Sequence, residues 1–123
     1  MRERDITSTL RWFAEGIYVG SQMDEVPGAV RIDVRELSEA PMSAGVISRP
    51  AVDVYMRSIN NCRLIDKEVL VSCTYGVNRA PAIAKLYCIG KGLRFNWVGS
   101  FPNSVWRDFI NRNYAYYQRR SWA

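Results

Sequence analysis

The chain has 123 residues, 48% of them apolar and 24% charged, with 17 Lys and Arg against 12 Asp and Glu. That length suits one domain, residues 1–123, able to bury roughly two-thirds of the surface its unfolded chain exposes, and the composition excludes a disordered polymer. Histidine is absent, which excludes a Ser-His-Asp triad, a Cys-His protease pair and any histidine-containing zinc site.

In chain order, residues 16–20 read as a strand ending in glycine, and residues 29–35 alternate as a second strand should. Pro27-Gly28 marks the turn between them, and residues 36–48, with Pro41 and Gly45, read as a loop. Ser48 is expected to cap a helix whose first turn holds Pro50. Val52, Met56, Ile59 and Arg63 repeat at helical spacing there, so this face predicts core, and Cys62 beside it reads as a packing residue. Residues 68–72 form a continuous apolar run, as expected of a central parallel strand covered on both faces. A helix from Arg79 tolerates Pro81 in its first turn and ends near Gly90-Lys91-Gly92, with Cys88 in the core. A last helix from about Ser104 puts Val105, Trp106, Phe109, Ile110, Asn113 and Tyr117 on one face. Alternating strands and helices predict an α/β fold.

The most informative stretch runs from Glu68 to Pro81. The strand Val69-Leu70-Val71 ends on Ser72 and Cys73, and Thr74, Tyr75, Gly76, Val77 and Asn78 then separate Cys73 from Arg79. Strand, glycine-containing loop and helix N-terminus in that order build an anion cradle from backbone N–H groups. A cysteine at its start adds a nucleophile, and an arginine at its end adds a bidentate phosphate clamp. Both the helix dipole and Arg79 favour the thiolate. The spacing alone is weak evidence in a chain with 14 arginines, but Cys62 and Cys88 have neither the arginine nor the glycine loop. The competing reading makes Cys73 a strand-end packing residue and Arg79 a surface helix residue.

At these residues the chain resembles the cysteine-dependent dual-specificity phosphatases of the protein tyrosine phosphatase superfamily, whose loop reads His-Cys-x-x-Gly-x-x-Arg-Ser/Thr. Gly16-Ile17-Tyr18-Val19-Gly20-Ser21 resembles the first strand and turn of that family, and Pro102-Asn103-Ser104-Val105-Trp106 the start of its last helix. Thr74 and Asn78 make the loop similar also to that of the RNA 5′-triphosphatases. The resemblance implies a compact three-layer sandwich around a mostly parallel sheet, shortened before residue 48 and between Gly92 and Pro102. It implies hydrolysis of a phosphomonoester on phosphotyrosine, phosphoserine or phosphothreonine protein, through a phosphocysteine on Cys73. Arg79 and the N–H groups of residues 74–79 would hold the phosphoryl oxygens, with no metal or other cofactor.

Two positions depart from the family. Ser72 stands where its histidine precedes the nucleophile, and Ala80 stands where its hydroxyl residue helps the thiolate leave. The second departure implies slow hydrolysis of the intermediate, or a pseudophosphatase that binds phosphorylated partners. The family also has a carboxylic acid about thirty residues upstream, and Glu39 lies 34 positions before Cys73, followed by Ala40-Pro41. Glu39 is the candidate general acid, ahead of Asp33 and Glu36, with a solvated loop carboxylate as the competing and preferred reading.

Charge bears on partners. Residues 1–84 hold ten Lys and Arg against eleven Asp and Glu, whereas residues 85–123 hold seven against Asp108 alone. Phe95, Trp97, Phe101, Trp106, Tyr114, Tyr116, Tyr117 and Trp122 are interleaved there. Such a pattern fits RNA, through phosphate contacts and base stacking, and so permits an RNA 5′-phosphatase. Helical spacing explains many of the same aromatics as core, and that is the preferred reading. No apolar run approaches the about 20 residues that span a bilayer, and Met1–Asp5 is charged. Three cysteines without a Cys-x-x-Cys motif suit a reducing compartment. A cytoplasmic protein without membrane contact is expected.

Overall fold

Among the described residues four strands form one sheet in the order β1-β2-β4-β3, comprising β1 (Arg11–Ala14), β2 (Ile17–Ser21), β3 (Val30–Asp33) and β4 (Val69–Cys73). The computed structural model describes residues 10–37, 47–97 and 104–119. β4 runs parallel to both β2 and β3, and β1 is antiparallel to β2 at the edge. Three described helices complete the α/β fold: α1 (Arg49–Leu64), α2 (Arg79–Lys91) and α3 (Ser104–Gln118).

Strand register separates the two faces of the sheet. Val69, Val71 and Cys73 stand beside Ile17, Val19 and Ser21 on one side, and Val69 and Val71 beside Val30 and Ile32 on the other. Val69, Val71, Cys73, Ile17, Val19 and Ile32 belong to one apolar cluster with Met56 and Ile59 of α1, Ile83 and Leu86 of α2, and Trp106 of α3. The opposite face carries Tyr18, Leu70 and Arg31 in one row, where Leu70 is buried outside that cluster. Every residue of β4 is buried, as a central strand requires.

The helix signals in the sequence correspond to real ends. Ser48 caps α1, its hydroxyl accepting from the Ala51 N–H at 3.4 Å, with Pro50 in the first turn. α2 ends at Lys91 because Gly92 takes the left-handed conformation, φ 75°, that closes a helix C-terminus. In α3, Trp106, Phe109, Ile110 and Tyr117 are buried, whereas Asn113 is only half-buried. These aromatics are core. No helix among the described residues is long and apolar enough to cross a membrane.

Two differences from the sequence reading have local causes. The strand expected over 29–35 ends at Asp33, whose carboxylate accepts from both the backbone N–H and the Nε of Arg35 and turns the chain aside. Val34 still donates to the Ser72 carbonyl at 2.9 Å. β1 has no counterpart in the sequence reading. Its four residues are too few for alternation to be visible, and Gly16, at φ 79°, makes the tight turn into β2.

Candidate functional site

The site lies at the carboxyl end of β4, where a ligand loop of a parallel sheet belongs. Cys73 is the last residue of the strand and Arg79 the first of α2, so the five intervening residues must reverse the backbone within a short span. Gly76 makes this possible with φ 76°, a conformation that costs other residues about 1–2 kcal/mol. The reversal aims the Gly76 N–H back at Cys73 Sγ, at 3.2 Å, and the Ala80 N–H reaches the same sulfur at 3.4 Å. Cys73 is 2% exposed, so its sulfur sits at the floor of the loop.

Arg79 is only 7% exposed, and a buried guanidinium must be well hydrogen-bonded. Its Nη1 donates to the Arg35 carbonyl at 2.7 Å and to the Leu37 carbonyl at 3.3 Å. Its Nη2 donates to Thr74 Oγ1 at 3.0 Å, across the loop. Thus the clamp is fixed from both sides, by the segment after β3 and by the first loop residue. Thr74 and Val77 are half-buried, Gly76 and Asn78 are buried, and Tyr75 projects at the rim, 67% exposed. The first turn of α2 holds no acidic residue, which leaves its dipole available to an anion. Cys73, Arg79 and residues 74–78 are therefore brought together.

The acid candidates separate. Asp33 is ion-paired with Arg35 at 2.8 Å, and that hydrogen bond holds its carboxyl below the usual carboxylate range. An acid held ionised in this way is a poor proton donor. Glu36 accepts from the Tyr55 hydroxyl at 3.3 Å, and burial together with Glu36 raises that phenol. Asp33, Arg35 and Glu36 line an open cleft beside the carbonyls that hold Arg79. Glu39 lies outside the described residues.

Two arginines escaped the sequence reading. Arg31, on β3, donates through Nη1 to Ser72 Oγ at 2.8 Å and through Nη2 to the Asp24 carbonyl. Ser72 is thereby tied to the neighbouring strand. Arg11 opens β1 and reaches the loop, with Nη2 at 3.4 Å from the Gly76 carbonyl and its guanidinium 5.4 Å from the centre of the Trp97 ring. Burial lowers this guanidinium from its ordinary value, and the charge at Cys73 pushes it back up. No local sequence signal marks either, because their placement follows from strand register, which pairs Arg31 with Leu70 and Arg11 with Val19.

The other cysteines are different. Cys88 is buried within α2, where loss of solvent pushes its thiol up to about 12 against a small opposing pull from Arg63. Cys62 is half-buried on α1. Among the described residues no group of His, Cys, Asp and Glu could hold a metal ion.

No protein-family model matches the chain, and neither the curated proteins nor the solved structures contain a significant match.

Proposed function

We propose that the chain is a cysteine-dependent phosphatase that hydrolyses phosphomonoesters through a phosphocysteine on Cys73. The observation that carries this reading is the convergence of the Gly76 and Ala80 N–H groups on a sulfur at a helix N-terminus, with Arg79 braced beside it. Backbone N–H groups gathered at a helix N-terminus favour an anion there.

In the first step the Cys73 thiolate attacks phosphorus in line. The S–P bond forms as the P–O bond to the leaving group breaks. Arg79 and the loop N–H groups hold the three equatorial oxygens, where charge is spread in the transition state. The leaving oxygen takes a proton from Glu39, or from water for a good leaving group. Water then attacks the phosphocysteine, releasing inorganic phosphate and restoring the thiolate.

Phosphoprotein is the proposed substrate, on the resemblance of residues 16–21 and 68–81 to dual-specificity phosphatases. Of the aromatics that the RNA reading counts, Trp106 and Tyr117 are buried in the core and Tyr114 is exposed, while Phe101 and Trp122 lie outside the described residues. The test is phosphate release from a phosphotyrosine peptide by wild type, Cys73→Ser and Arg79→Lys. Release is expected to vanish in Cys73→Ser and to fall about 10²–10³-fold in Arg79→Lys, which loses the fork. Release that prefers 5′-triphosphorylated RNA and falls steeply with salt would move the substrate to RNA.

A further inference from the structure

We propose that Arg11 is the second cation of this site, a positioning residue on β1 that steadies the loop at Gly76 and keeps positive charge beside the Cys73 sulfur. This rests on the phosphatase reading of Cys73. A contact chain carries it: Arg11 Nη2 meets the Gly76 carbonyl at 3.4 Å, and the Gly76 N–H meets Cys73 Sγ at 3.2 Å. The same peptide region is thus held by Arg11 on one side and by the sulfur on the other.

Position on the sheet explains how an edge strand reaches a central loop. β1 is antiparallel to β2, so its first residue lies near the end where β2 and β4 finish, with Arg11 opposite Val19. Phe13, two residues on, stacks on Phe95 with ring centres 5.7 Å apart, and its carbonyl accepts from Asn96 at 2.7 Å. That segment carries Trp97 to the guanidinium. Arg11 is thereby half-buried between an aromatic ring and the loop.

The chain has a need for such a cation. Ser72 replaces an imidazole and is bonded to Arg31, and Ala80 contributes only its N–H to the sulfur. Among the described residues, Arg79 from α2 and Arg11 from β1 bring positive charge toward the sulfur, with Arg31 of β3 one residue removed through Ser72. A 3.4 Å contact is longer than the about 2.7–3.2 Å of a good N–H···O bond, so charge outweighs hydrogen bonding in what Arg11 supplies.

The test compares alkylation of Cys73 by neutral iodoacetamide and by anionic iodoacetate at one pH, mapped by mass spectrometry with Cys62 as the internal reference. In the wild type Cys73 is expected to react faster than Cys62 and to prefer iodoacetate. Arg11→Gln keeps a donor without charge and should slow Cys73 about tenfold and reduce the preference for the anion. Arg11→Lys, which keeps the charge, should recover most of both. Arg11→Met, whose aliphatic stem still covers Trp97, is read in the same way if Arg11→Gln does not fold. Unchanged rate and preference in the neutral variants would overturn the role of Arg11 and leave the phosphatase reading intact. A wild-type Cys73 no faster than Cys62 would instead overturn the phosphatase reading itself.

Discussion

Cys73 and Cys88 are both almost wholly buried, and what distinguishes them is the direction of nearby N–H groups. Cys88 lies in apolar packing that pushes its thiol up to about 12, the state of an inert structural cysteine. Cys73 sits where two backbone N–H groups converge and arginines come from two elements. Ala80 is the residue at which rate is most easily tested. Its N–H reaches the sulfur and the residue is fully buried, so a serine there places a hydroxyl in the buried first turn of α2. Ala80→Ser is expected to raise steady-state turnover several-fold while leaving the first step unchanged. Equal turnover in the two proteins would show that thiolate departure does not limit the rate.

At the scale of elements, the site depends on how well α2 is held, because its N-terminus is half of the cradle. α2 packs against β4, β2, α1 and α3, and Trp106 of α3 is wholly buried in the shared core. Trp106→Ala should cost about 3–5 kcal/mol in chemical denaturation, through lost burial and the cavity left behind. A loss below 1 kcal/mol, by the same scale, would mean that α3 is not part of this core. The ends of α1 and α2 were legible because Ser48, Pro50 and Gly92 act locally. The loop was legible for the same reason, since Cys73, Gly76 and Arg79 are near in sequence. β1 and its Arg11 were not, because an edge strand of four residues shows itself only through pairing with β2. The Arg31–Ser72 bond likewise depends on the register of two strands 41 residues apart.

For the molecule as a whole, buried titratable groups set how stability changes with pH. The Cys88 thiol is pushed by burial from an ordinary 9.0 up to about 12, so the unfolded chain loses this proton first as pH rises. Its contribution is therefore complete below about pH 9 and is lost on the way to about 12. The slope approaches at most about 1.4 kcal/mol per pH unit for one proton. The Tyr87 and Tyr117 phenols, both raised by burial, act in the same direction from about pH 10 upward. Denaturation midpoints should fall from pH 9 to 10 in the wild type and fall less in Cys88→Ala. Parallel curves for the two proteins would contradict the assignment. The basic C-terminal third has a partly structural explanation on this scale. Its buried aromatics join the core, while Arg112 pairs with Asp108 on the exposed side of α3 at 3.0 Å.

The central claim is that Cys73 carries the phosphoryl group, and rapid mixing with p-nitrophenyl phosphate tests it most directly. The wild type should release a burst of p-nitrophenol close to the enzyme concentration and then turn over more slowly, with neither phase in Cys73→Ser. Equal release by the two proteins, or none by either, would contradict it.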